Sequence, residues 1–241
     1  MVERYSYAQA RATDMARSEN ATFDAGLRSY MLSVYNYMAS GLLVTGIVAL
    51  LTSQSPAMLN AIYGTGLHWV VALAPLGFVL ALSFGVNKMS SGTMQMVFWA
   101  FAATMGLSLS YIFIAYTGAS VARTFFITAG AFGALSLYGY TTKRNLSAMG
   151  AFLMMGLFGI IIASIVNFFL QSSMLQFVVS VAGVLVFSGL IAYDTQRIRE
   201  QYYMMSTGDM MKKGAIMGAL SLYLDFINLF LFLLRLMGNR E

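Results

Sequence analysis

Residues 213–237 read Lys213-Gly-Ala-Ile-Met-Gly-Ala-Leu-Ser-Leu-Tyr-Leu-Asp225-Phe-Ile-Asn-Leu-Phe-Leu-Phe-Leu-Leu-Arg235-Leu-Met237. A helix crosses the hydrocarbon of a bilayer with about 20 apolar residues, so this run is long enough to span. At 1.5 Å per residue Asp225 lies roughly 18 Å from Lys213 and 15 Å from Arg235, near mid-membrane. An ionised carboxylate there costs at least about 2.5–3.5 kcal/mol on insertion scales. The acid must therefore face other helices or a wet cavity. Ser221, Asp225 and Asn228 recur at i, i+4 and i+7 and form one polar stripe on a helix of Leu, Phe, Ile and Tyr. A helix of that kind is enclosed by others.

Working outward, the rest of the chain repeats the pattern without the acid. No Asp, Glu, Lys or Arg separates Arg28 from Lys88, and the turn-like residues Thr52 to Pro56 and Gly64 to Gly66 divide that stretch into spans near 29–51 and 68–87. Further spans fall near 94–115, 121–141, 147–170 and 175–196. Thr207, Gly208 and Asp209 mark a loop before the last, 213–237. The expected architecture is all-α and polytopic: a tail of residues 1–27 and a membrane domain of residues 28–238 with seven transmembrane helices. Six spans with a re-entrant seventh run is the alternative, because the last run carries an acid. Pro75 predicts a kink in the second span. Gly214 and Gly218 have the spacing that lets helix backbones touch, read as packing within the chain rather than between copies.

Composition agrees. The chain is 59% hydrophobic and 10% charged, with mean hydropathy +0.73, where a soluble domain carries about 25% charged residues. The formal charge of +5 does not make a nucleic-acid surface, which needs basic residues gathered on one solvated face. These sit singly or in pairs at the ends of apolar runs. All fourteen Lys and Arg residues except Arg123, Arg235 and Arg240 fall on one side, which the positive-inside rule makes cytoplasmic, with the N-terminus. If the last run re-enters, Arg235 and Arg240 join that side. Without cysteine, thiol nucleophiles and thiolate metal sites are excluded.

The second acid of interest, Asp194, lies in Gly189-Leu-Ile-Ala-Tyr-Asp-Thr-Gln196, with Arg197 and Arg199 just beyond it. Spacing alone leaves it open as an interfacial acid paired with those arginines. No enzyme is expected. The one histidine, His68, and the serines of Gly106-Leu-Ser-Leu-Ser110 make only a weak intramembrane serine-protease set. A retinal protein needs a Schiff-base lysine deep in the last span, where this chain has Asp225.

Ala192-Tyr-Asp-Thr-Gln196 together with Leu222-Tyr-Leu-Asp-Phe-Ile-Asn-Leu-Phe230 resembles the Bax inhibitor (transmembrane Bax inhibitor motif) family, in particular its bacterial branch; Ser136-Leu-Tyr-Gly-Tyr-Thr-Thr-Lys-Arg144 is similar to it too. The resemblance runs from about residue 25 to 238. It implies a last helix enclosed by the other six, in a multi-pass protein of the bacterial inner membrane. It also implies a pH-sensitive calcium leak in which Asp194 and Asp225 share a proton. Two carboxylates close together in low dielectric cannot both ionise cheaply, so their titration belongs to the pair. Calcium takes oxygen ligands, and these two acids would offer them only transiently to a permeant ion. The family's basic residue at the cytoplasmic end of the second helix has its nearest match in Lys88, preceded by Asn87, where a lysine acts as a point charge rather than a bidentate clamp. Ser221, Asn228 and Arg197 complete the supporting polar set. No cofactor is implied; the partners are the lipid bilayer and calcium. Bacterial relatives imply the alternative, a non-transporting interaction protein that modulates a membrane protease or stress response through its tail. One tension stands. In a straight hairpin Asp194 sits about 4–5 Å inside Arg197 and Asp225 about 18 Å inside Lys213. Their meeting demands tilt, a cavity, or a last helix that starts below the membrane surface.

Overall fold

Polar side chains at the expected breaks cap the helices that follow them. Ser55, Ser90, Thr117, Ser172 and Thr207 each accept a hydrogen bond from the backbone N–H three residues on, satisfying a donor that a helix start leaves free. The computed structural model describes residues 25–239. Its helices are α1 (Val2–Ser53, of which residues 25–53 are described), α2 (Pro56–Tyr63), α3 (Leu67–Gly85), α4 (Ser91–Leu109), α5 (Ile112–Ala115), α6 (Gly118–Thr141), α7 (Ser147–Leu170), α8 (Ser173–Tyr202) and α9 (Gly208–Met237). The tail reading of residues 1–24 and the side assigned to Arg240 lie outside the described residues.

Seven helical stretches are long and apolar enough to cross a membrane: Ala25–Ser53, Leu67–Gly85, Ser91–Ala115, Gly118–Thr141, Ser147–Leu170, Ser173–Tyr202 and Gly208–Met237. Each overlaps an expected span, and the protein is an all-α polytopic membrane protein. The differences are local. The break after the first span holds a short helix, α2, started by Ser55 and Pro56, where proline fits the first helical position. The third span is interrupted between α4 and α5. There the Ser110 hydroxyl bonds the Leu107 carbonyl at 2.8 Å and the Tyr63 hydroxyl at 3.0 Å, competing with the helical ladder.

The last run does not turn back. α9 is unbroken over 30 residues, about 45 Å of helix, so Lys213 and Arg235 lie towards opposite ends of the bundle and the re-entrant alternative falls. α9 is also the central element. In its most apolar stretch 67% of residues are buried, against 17% to 33% in the other spans. α8, α1, α6 and α4 pack on it, α3 touches it lightly, and α7 joins the ring by packing on α8.

Close approach is built from small residues. Gly139 of α6 lies against the backbone of Ala192 on α8, where a side chain has no room. Gly218 faces Ile198, and Gly214 faces Met205 and the Tyr30 hydroxyl, so this glycine pair packs within the chain. In α3, Pro75 lacks the N–H that would reach the Val71 carbonyl, and the Ser108 hydroxyl of α4 donates to that carbonyl instead. The helix continues across the proline.

A buried acid pair between the last two helices

α8 and α9 form the most extensive helix pair in the bundle, and Asp194 and Asp225 lie in their contact. Their residues are 8% and 6% exposed, and their carboxyl groups stand at hydrogen-bonding reach of each other. An ionised carboxylate only accepts, so a hydrogen bond between two carboxyls exists only while one of them holds a proton. Among the described residues, no amide, hydroxyl or guanidinium donor reaches Asp225 Oδ2. The charged groups that act on Asp225 are Asp194 and Arg197.

The difference in depth is absorbed at the helix ends. α8 continues to Tyr202 and α9 starts at Gly208, so both helices outrun the expected limits at 196 and 213. Their basic residues mark the membrane boundary without ending the helix, since long side chains carry the charge to water. Gly218 is level with Ile198. Lys213 therefore sits about 7 Å further towards that end, paired with Asp209 at 3.1 Å on its own helix. From that level Asp225 lies about 10 Å along α9 and Asp194 about 6 Å along α8, so the depth difference shrinks to about 4–5 Å, within reach of the two side chains.

Arg197 joins the two helices. Its Nη2 lies 3.3 Å from Asp194 Oδ1 and 3.3 Å from Ser221 Oγ, to which it donates, and its guanidinium stands 5.7 Å from the centre of the Tyr193 ring. The Arg197 side chain is 42% exposed and that of Asp194 only 12%, so the cation runs from the bundle surface down to the acids. The other expected members are placed differently. Asn228 donates from Nδ2 to the Leu224 carbonyl at 2.8 Å and serves its own helix. Asn87 and Lys88 are exposed in the turn after α3, and Lys88 makes no ion pair among the described residues. Arg197 holds the position on the acids in this structure.

Thr195 and Gln196 stand beside Asp194 in a stretch whose spacing assigns them no task. Thr195 Oγ1 donates to the Ile191 carbonyl at 2.7 Å and meets Ser136 Oγ at 3.0 Å, which meets the Tyr35 hydroxyl at 2.7 Å. This chain of hydroxyls links α8, α6 and α1. Gln196 accepts from the Leu146 N–H and donates to the Arg144 carbonyl, both at 2.8 Å, clamping the α6–α7 turn onto α8. The available signal was three successive polar residues, Asp194, Thr195 and Gln196, ending an otherwise apolar span.

Two clefts open at opposite ends of α9. One of about 730 Å³ lies between the ends of α1, α4, α8 and α9, with Lys212 on its wall, and reaches along α9 only to Ile216. The other, of about 680 Å³, is lined by Tyr111, Asn167, Gln171 and Arg235, and begins on α9 at Leu231. Between Ile216 and Leu231, about 22 Å of helix, lie buried Leu222, Tyr223, Phe226 and Leu229 and the acid pair. Neither cleft reaches the acid pair. No cluster of three or more His, Cys, Asp or Glu side chains able to hold a metal occurs among the described residues. The serine and histidine candidates do not meet. His68 Nδ1 donates to the Thr65 carbonyl at 2.9 Å, while Ser108 and Ser110 are bonded to Val71 and Leu107 carbonyls.

Residues 27–241 match the family described as inhibitor of apoptosis-promoting Bax1. The uncharacterized protein RP147 of Rickettsia prowazekii is 52% identical over 93% of this chain and 95% of its own. The inner membrane protein YbhL of Escherichia coli is 49% identical over 90% of this chain and 94% of its own. An uncharacterized protein of Caulobacter vibrioides is 48% identical, covering 98% and 97%.

Proposed function

The chain belongs to the family of the inhibitor of apoptosis-promoting Bax1, and from that premise we propose that it is a pH-sensitive calcium leak of the bacterial inner membrane. Its N-terminus is cytoplasmic, and a proton shared by Asp194 and Asp225 biases its gate. The observation that carries this reading is the buried contact of the two carboxyls between α8 and α9, with Arg197 as their one cation among the described residues. With one shared proton the three groups sum to zero charge. Losing it leaves two carboxylates against one guanidinium in a low-dielectric contact, where like charges repel strongly. In such a leak the closed state holds the extra proton, so raising the pH favours the state that has released it. Separation of α8 from α9 would then expose two carboxylates to a cation. Two oxygen-bearing side chains are far short of the six to eight ligands of a tight calcium site, which suits passage over storage.

The test is calcium flux in proteoliposomes of the full chain. Wild type is expected to leak more as pH rises through neutrality. Asp225→Asn and Asp194→Asn are expected to flatten the profile, because an amide has no proton to release in this range. Unchanged flux and pH dependence in both variants would overturn the proposal. The interaction-protein reading rests on the tail, and no observation among the described residues favours it.

A further inference from the structure

α1 and α6 both pack on α9 and α8 and meet each other at the Tyr35–Ser136 hydroxyl contact, leaving a gap beside it. The gap is a groove of about 480 Å³ open to the side of the bundle. Leu32 and Leu137, 50% and 63% exposed, face its opening. Gly133 lies on its wall, and a side chain added there would meet nothing within 4 Å. The floor is shut by the Tyr35–Ser136–Thr195 hydroxyl chain, so the groove is blind rather than a passage. Arg28 and Tyr140 stand at its end nearest the chain's cytoplasmic face. From Arg28 to Tyr35 the groove runs about 10 Å into the membrane.

We infer that this groove holds an acyl chain of an anionic phospholipid, its headgroup phosphate on Arg28. Three features support that occupant over a helix or a second copy. The walls are apolar and the groove is too short and narrow-floored for a helix of about 10–12 Å diameter. Arg28 is exposed and has no carboxylate partner among the described residues. Around the same mouth Lys143 and Arg144 are also exposed, and Arg199 donates to the Tyr140 carbonyl while pairing with Glu200 at 4.0 Å, so basic residues outnumber acids there among the described residues and the local charge favours an anion. Basic residues between helices at a cytoplasmic boundary recognise anionic headgroups, and tyrosine suits the interface depth. The inference depends on the fold and leaves the acid pair aside.

The experiment is native mass spectrometry of the full chain released from vesicles containing equal phosphatidylglycerol and phosphatidylcholine. Wild type is expected to retain phosphatidylglycerol preferentially. Arg28→Gln should lower that preference about fivefold, equivalent to about 1 kcal/mol for one basic residue at an anionic surface. Gly133→Phe, which fills the groove without a clash, should lower retention of the lipid by a similar factor, and Leu32→Trp serves as a second filler if Gly133→Phe fails to fold. Lys212→Gln, in the separate cleft, should change nothing. Equal retention of both lipids by wild type overturns the proposal. So does loss in Arg28→Gln with full retention in the filled groove, because the lipid would then be held by surface charge alone.

Discussion

Arg197 decides what the acid pair costs. A lone buried carboxylate is disfavoured by burial, and a pair of them more so; the guanidinium at 3.3 Å from Asp194 offsets part of that and holds Ser221 as well. Its Nε finds no acceptor in the structure, so its attachment is made through one nitrogen and through the face of Tyr193. Such an arm can let go. Replacing it by Arg197→Gln removes the cation and leaves the acids easier to protonate, so the proton is released at higher pH. The flux midpoint is expected to move up by about one unit or more, the scale of a single opposite charge nearby. A pH–flux profile in proteoliposomes checks it; a midpoint that stays or falls would place Arg197 outside the electrostatics of the pair. From sequence, Arg197 was legible as a neighbour of Asp194 three residues away on one helix. That it also reaches α9 through Ser221 was not, because no local spacing tells which helix lies across from it.

At the scale of elements, helix ends and breaks follow local chemistry, and helix partners do not. The caps at Ser90, Thr117, Ser172 and Thr207 fall at or next to polar breaks visible in the sequence. Pro75 was legible as a disturbance of α3, yet its repair comes from Ser108 on α4, a residue whose sequence context suggested a nucleophile instead. The repair is testable as a coupling. Ser108→Ala strands the Val71 carbonyl and should cost about 1 kcal/mol of stability. In a Pro75→Ala background the backbone N–H returns and the same change should cost almost nothing. Thermal unfolding of the four proteins in detergent measures it, and equal costs in both backgrounds would show that the two residues act independently. The same logic explains the ends of α8 and α9. Charged residues looked like stops, but helices that continue beyond the bilayer carry them without penalty.

For the whole molecule, seven spans put successive connections on alternating sides. The chain has no cysteine, so single substitutions report cleanly. Thr65→Cys, exposed between α2 and α3, is expected to react with an impermeant maleimide in intact cells once any outer envelope is opened. Ser206→Cys, exposed between α8 and α9, is expected to react only after the inner membrane is permeabilised. The opposite pattern would reverse the orientation read from the basic residues. Number of spans, membrane class, and the need of Asp225 for enclosure were determined by the sequence alone, because transfer into lipid acts on each segment separately and leaves its mark in composition and spacing. The meeting of Asp194 with Asp225, the seat of Arg197, the exposed position of Lys88 and the groove between α1 and α6 were decided only by tertiary structure. They depend on how far each helix extends past the membrane and on which faces pack. Those are sums over contacts between segments distant in the chain, and no single segment encodes them.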